Sequence, residues 1–437
     1  RVLSVLLIAA FLPVSVLAAE YDLSEGSVTV STSKRADGST RQDVSHKGST
    51  KEDSNPTITS NGKTDNTITI KADAGTTANV TIKDTNIDST GTGKAAIKTE
   101  GKGDVNLNVE GINTATSDEG HAGVEKSNDG NLTIGSKSGS CELAANGGDR
   151  GAGIGGGQGS DGTDITIAGG KITANGGVEA AGIGGGSFGD GSSITVSGGE
   201  VTANGGNSGA GIGGGSCGNV NDITISGGDV RATGGTNGAG IGAGMFGYVD
   251  SDITISGDSQ VEATGGAGSA DANFGAAIGR GGRGDGASGD EIEPDTSGLY
   301  TTGKVERTSG DGTVLDTITG TVEPPAKPAS SEEEADKREP LYRVLHLDGS
   351  SLKHQAEKAD GILALTAEAD GAILTGTLRA LGYLQNQGVA KITFTDGIHS
   401  AELVLADLIA RGEPEDVYIL TLGSENTLTL NGEAIDF

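Results

Sequence analysis

The sequence predicts an all-β, right-handed parallel β-helix, about 29 residues and three strands per coil, joined to a small C-terminal α+β domain. Two spacings carry that expectation, and composition supports it. The segments GAGIGGG (151–157), AAGIGGG (180–186), GAGIGGG (209–215) and GAGIGAG (238–244) set Ile154, Ile183, Ile212 and Ile241 at steps of 29, 29 and 29 residues. DITI, SITV, DITI and DITI set Ile165, Ile194, Ile223 and Ile253 at 29, 29 and 30, while KITA, EVTA, DVRA and QVEA set Ile172, Val201, Val230 and Val261 at 29, 29 and 31. Each period therefore holds three short alternating segments separated by Gly-Gly, Asn-Gly or Ser-Gly. That is strand periodicity with corners suited to positive φ. Of 437 residues 79 are Gly, aromatics reach only 3% and Trp is absent, so a core must come from Ile, Val, Leu and Ala.

In chain order, residues 1–18 read as a signal peptide: Arg1, an apolar run from Val2 to Leu12, and small residues before a cut between Ala18 and Ala19. An initial Arg in place of Met implies that residues precede Arg1. Export to the cell exterior or surface follows, with no membrane insertion after cleavage. Residues 19–60 carry no clear repeat and are expected to be irregular. The β-helix is expected over 61–285, where NTITI (66–70), NVTI (79–82), DVNLNV (104–109) and NLTI (131–134) extend the pattern upstream. Seven or eight coils would make a rod of roughly 35–40 Å. In Asp164-Ile165-Thr166-Ile167 the isoleucines face inward, which leaves Thr166, Thr195, Thr224 and Thr254 as an outward hydroxyl ladder. Phe188, Cys217 and Phe246, also 29 apart, are expected to share an inward column, with Cys217 a small buried hydrophobe. Cys141 lies coils away from Cys217, so no intramolecular disulfide is expected. Residues 286–322 hold irregular strands suited to capping the stack, 323–340 (EPPAKPASSEEEADKREP) form a Pro/Glu-rich linker, and 341–437 a small α+β domain. In that domain Thr375–Gln387 and Ser400–Ala410 have helical spacing.

Charge narrows the function. Lys+Arg 30 against Asp+Glu 60 gives −30, which excludes a broad nucleic-acid-binding or anionic-membrane-binding surface. Polysaccharide hydrolysis needs a carboxylate pair with divergent pKa values, and elimination needs a positioned base. All five histidines lie outside the regular coils, and between 151 and 265 the long cations are only Lys171 and Arg231, so a lyase or hydrolase is a distant alternative. Ice binding needs more aligned Thr than one per coil; a second column breaks at Arg231 and Glu262. Gly153, Gly155, Gly182, Gly184, Gly211, Gly213, Gly240 and Gly242 alternate with inward residues. They either serve corner geometry or form a bare strip for docking or self-association. Arg283-Gly284-Asp285 has the form of a cell-attachment tripeptide and reads as incidental in so Gly- and Asp-rich a chain. Acidic pairs such as Asp161/Asp164 and Asp250/Asp252 suit a hard cation such as calcium.

The DITISGG…TANGG…GAGIGGG grammar resembles that of secreted β-helix proteins of Gram-positive gut bacteria, which are similar to the clostridial carbohydrate-binding β-helix family. The resemblance covers about 61–285. It implies an exported rod on which acidic turn residues bind calcium and polysaccharide adheres; Asp164, Asp222 and Asp252 occupy matching turns, whereas Ser193 departs from the pattern. The resulting expectation is a secreted or cell-surface, non-enzymatic carbohydrate-binding protein. Thr166, Thr195, Thr224 and Thr254 would be its ligand face, with calcium as a candidate cofactor at Asp161, Asp164, Asp222, Asp250 or Asp252. The rival expectation is a structural adhesin or spacer contacting proteins or other copies.

Overall fold

A short alternating strand buries one face only if something lies behind it, and three such strands per period can shield one another by winding into a tube. The computed structural model has that architecture. It describes residues 19–136, 141–268, 274–283, 287–323, 342–347, 352–359, 361–367, 371–414, 416–424 and 426–435. The expected signal peptide, almost all of the expected linker, and Gly284-Asp285 of the tripeptide lie outside the described residues. The chain divides into two units, 1–324 and 325–437.

The first unit is a parallel β-helix of about ten coils. One coil runs Gly162–Ile167 on face A, Lys171–Asn175 on face C and Ile183–Gly184 on face B, then returns to face A as Gly191–Val196. Coils stack in register. Ile165, Ile194, Ile223 and Ile253 pair successively on face A, and Ile172, Val201, Val230 and Val261 on face C. Ile154, Ile183, Ile212, Ile241 and Ile278 do so on face B. Nearly all of these side chains are completely buried, each contributing roughly 1.5–3 kcal/mol.

Residues 19–60, expected to be irregular, begin the stack instead. Glu20–Asp22 pairs in parallel with Thr57–Thr59, and Val28–Lys34 with Ile68–Ala72. Thr40–His46 and Ser49–Glu52 then fold back antiparallel as an end cap on face B. Alternation in VTVSTSK is ordinary strand patterning, but an antiparallel excursion interrupts the period. The coil count thus rises from the expected seven or eight to about ten, near 48 Å of stacked strands.

Face B changes along the rod. Upstream it has five-residue strands such as Ile68–Ala72 and Val124–Asn128; from Ile154–Gly155 onward each is two residues long. Glycine permits this narrowing. Gly155 has φ +135°, and a Cβ there would sit 2.0 Å from the carbonyl oxygen of Gly184 in the next coil. All eight glycines of the proposed strip are buried. A Cβ on Gly182 would lie 2.6 Å from Gly211 O and 2.7 Å from Asn204 N. The strip is packed backbone, which favours the corner-geometry alternative over a bare strip for docking or self-association.

The second unit has an antiparallel five-stranded sheet (Arg343–Leu345, Ile373–Thr377, Val417–Thr421, Thr427–Leu430, Glu433–Ile435) and a mixed four-stranded sheet (His354–Ala359, Ile362–Ala367, Lys391–Thr395, Ser400–Val404). Helix α1 (Leu378–Asn386) begins at Thr377, whose Oγ1 accepts from Ala380 N at 3.2 Å. Helix α2 spans only Leu405–Ile409. Both helices are shorter than expected. Ser400–Val404 pairs antiparallel with Lys391–Thr395, which turns Leu403 inward, and this pairing overrides local helical spacing. Asp396 fixes the hairpin turn by accepting from Ile398 N (2.9 Å), His399 N (2.6 Å) and Gly371 N (2.9 Å).

Candidate functional site

Face A presents the hydroxyl ladder. Thr166, Thr195, Thr224 and Thr254 are in register and half-buried, and Thr133 extends the column by one coil. Thr163, Ser192 and Asn221 form a second polar column. Between the columns lies a bulge that ladder pairing skips, occupied by Asp164 (φ +54°), Ser193 (φ +52°) and Asp222 (φ +65°). Short polar side chains tolerate this left-handed conformation. Ser251 continues the column, its Oγ accepting from Asp222 N at 2.7 Å. Carboxylate and hydroxyl therefore alternate, and carboxylates recur every second coil, about 9.6 Å apart, near the screening length of physiological salt. Ser193, an exception when read along the sequence, belongs to that alternation.

Asp161 has a different task. Its Oδ1 accepts from Asp190 N (2.8 Å), Asp190 Oδ1 from Asn219 N (2.7 Å), and Asn219 Oδ1 from Tyr248 N (2.9 Å). The column stitches one corner to the next. Asp250 and Asp252 are exposed, and among the described residues no three His, Cys, Asp or Glu side chains converge as metal ligands. Asp164 and Asp222 thus share the bulge column while Asp161 serves the corner stitch, and among the described residues the five aspartates form no single nest. A further ladder went unnoticed in the sequence: Asn175 Nδ2 donates to Asn146 Oδ1, and Asn204 Nδ2 to Asn175 Oδ1, both at 2.8 Å. Its 29-residue spacing was visible, as part of Asn-Gly punctuation.

The column Phe188–Cys217–Phe246 exists, but it points outward. Phe188 N donates to Ser216 O, Cys217 N to Met245 O and Phe246 N to Gly282 O, so the three residues are stacked. Their φ angles are +64°, +61° and +67°. Such an angle at a corner turns Cβ away from the tube, so Phe188 is 62% and Phe246 47% exposed. Cys217 is likewise exposed and free, which corrects its expected burial; Cys141 is free and buried. The preceding coil has Gly159 at the equivalent corner, with φ +70°. Tyr248, 56% exposed, lies close by, with the Arg280 guanidinium 3.9 Å from its ring centroid. Holding a bulky residue at positive φ costs about 1–3 kcal/mol where Gly would be free of strain. These rings also forgo burial, so the corner carries two local costs that a glycine there would avoid.

Face C carries the break noted at Arg231 and Glu262. Asp229, Arg231, Gln260, Glu262, Lys304 and Glu306 line a shallow groove of about 210 Å³. Arg231 lies 3.3 Å from Glu262 and 3.7 Å from Asp229, and Lys304 lies 2.5 Å from Glu306. Both cations are locally neutralised. Upstream, Glu125 is buried between Lys98 (3.2 Å) and His121 Nδ1 (2.7 Å). The adjacent Lys126 is buried too, donates to Asn128 O at 2.6 Å, and has its ammonium pKa pushed down by burial. Alternation in VEKSN placed that lysine inward, a signal the sequence reading missed.

No helix among the described residues is long and apolar enough to cross a membrane. No curated protein and no solved structure matches the chain. A family model described as a beta helix repeat matches residues 165–187, 194–216, 223–245 and 253–279, one match per coil. Ladder register and these matches coincide: over four coils the chain is similar to the beta helix repeat family, in keeping with the parallel β-helix that its first unit forms.

Proposed function

We propose that this β-helix is an exported, non-enzymatic binding rod whose ligand is an extended polysaccharide, held along the corner that carries Phe188, Phe246 and Tyr248. The exposed aromatic column carries the reading. Rings on alternate coils sit about 9.6 Å apart, a spacing comparable with the disaccharide repeat of an extended β-linked glycan. Aromatic faces suit the apolar face of a pyranose, while the Thr166, Thr195, Thr224 and Thr254 ladder on face A supplies hydroxyl partners along the same axis. Each contact is weak, so affinity grows with the number of coils engaged. Calcium at the face A aspartates is an auxiliary part of the proposal.

The test is a glycan array with the full chain and its F188S/F246S variant, each with and without chelator. Binding lost in the variant supports the ridge, and binding lost on chelation adds calcium. Absence of any glycan signal, with adhesion to cells or proteins retained, replaces this reading with the adhesin or spacer.

A further inference from the structure

The inward column of face C is alanine through the middle of the rod, with Ala115, Ala145, Ala174, Ala203, Ala232 and Ala263 in register. The next coil puts Arg307 in that column. Arg307 is only 6% exposed. Its Nε donates to Asp316 Oδ1 at 2.7 Å, its Nη2 to Asp316 Oδ2 and to Glu293 Oε2 (3.0 Å), and its Nη1 to Ile292 O (3.1 Å). These partners belong to two separate closing segments. Asp316 lies on Val314–Thr319, which pairs antiparallel with Lys304–Thr308 and ends face C. Glu293 and Ile292 follow Glu291, whose carboxylate accepts from Ala277 N (2.6 Å) and Ile278 N (3.2 Å) at the end of face B.

The closing strand is lightly packed, with Ile318 alone of its residues set against the rod core. Val314 is 70% exposed, and no residue from 314 to 319 is buried. It is retained by one hydrogen-bonded edge, by the Arg307 pair and by the partly buried Ile318 against the rod core, the sparse anchoring of a segment that opens ahead of the core. Once open, it leaves Lys304–Thr308 as a bare edge. Two such edges fit each other poorly, because antiparallel pairing centred on Glu306 sets like charges opposite. The same strand from another copy fits fully, since it restores every ladder bond and the Arg307–Asp316 contact.

We propose that Val314–Thr319 is an exchangeable closure: a second copy of this chain docks on the rod end by donating this strand to Lys304–Thr308, and Arg307 is the latch that keeps the monomer closed. The carboxylates around the latch are Asp316, Glu293 and Glu291; the Arg307 hydrogen bonds hold Asp316 below the usual carboxylate range, so its protonation in strong acid releases the latch.

A cysteine pair at the facing positions, E306C/T317C in a C217S background, locks the closure when oxidised. Both C217S and the locked chain are held briefly at acid pH at high concentration, neutralised, and sized by analytical ultracentrifugation, with far-UV circular dichroism confirming an intact stack. The expected result is a dimer from C217S, absent from the oxidised variant and restored by reduction. C217S that stays monomeric, or a locked chain that dimerises equally, overturns the proposal. R307M keeps it falsifiable without acid: closing segments 291–293 and 314–319 should lose amide-exchange protection together, and loss from only one of them refutes the latch.

Discussion

Substituting Gly184 by Ala tests the narrow face B directly. Gly184 has φ +131°, and an added Cβ would lie 2.0 Å from Gly213 O. That is roughly 1.5 Å inside ordinary carbon contact, and the obstacle is backbone in a stack spaced about 4.8 Å per coil. The coils must part locally. At risk are Gly185 N to Gly213 O and Gly156 N to Gly184 O, each 2.9 Å. Two weakened buried backbone bonds and the unfavourable φ together cost about 3–6 kcal/mol. Gly159→Ala is the control: φ is also positive at +70°, but nothing lies within 4 Å of the new Cβ, so the expected loss is about 1–2 kcal/mol. Urea unfolding followed by circular dichroism, with amide exchange to locate the loosened coils, separates the two. Equal losses, or a Gly184→Ala loss near 1 kcal/mol, would refute the argument that coil-to-coil backbone approach selects glycine here.

Phe188→Gly should raise stability by about 1 kcal/mol through relief of the left-handed backbone, while weakening glycan binding on the array about tenfold; a drop in melting temperature contradicts the corner assignment. Ser193→Asp would bring carboxylates into adjacent coils and destabilise by about 1–2 kcal/mol at low salt, a loss reversed by added calcium or sodium chloride; unfolding curves independent of salt would dismiss the alternating column. For Asp396, burial raises the carboxyl pKa, but hydrogen bonds from His399, Gly371 and Ile398 outweigh it and hold the group below the usual range. Its contribution is therefore present above the unfolded value near 3.9 and lost as pH falls through the depressed native value. Amide exchange at Gly371 and His399 should accelerate only in strong acid; in D396N, where the carboxylate is absent, that acid step should vanish, and its persistence would rule out this carboxylate as the cause.

The rod was legible because every coil repeats one solution: Ile165, Ile194, Ile223 and Ile253 declare both strand periodicity and stacking distance. The N-terminal coil was not, because Val28–Lys34 joins face B through a strand 40 residues further on, after two antiparallel strands that share no period with the coils. In the second unit, alternating Leu403 and Leu405 fitted a helix face as well as a strand, and only the partner strand Lys391–Thr395 decided. The candidate site divides in the same way. Thr166 and its column were readable from alternation, whereas the outward turn of Phe188 and Phe246 depends on backbone φ at a corner, which spacing does not encode.

Sequence alone determined the coil length, the aliphatic ladders and the separate C-terminal unit, since these follow from side-chain periodicity and the need to bury one face of each strand. Tertiary structure decided which face a corner residue shows, which glycines are packed and not bare, and how the rod ends close. Those outcomes rest on the approach of one coil to the next and on single polar groups such as Arg307, whose partners lie in segments that no local pattern links.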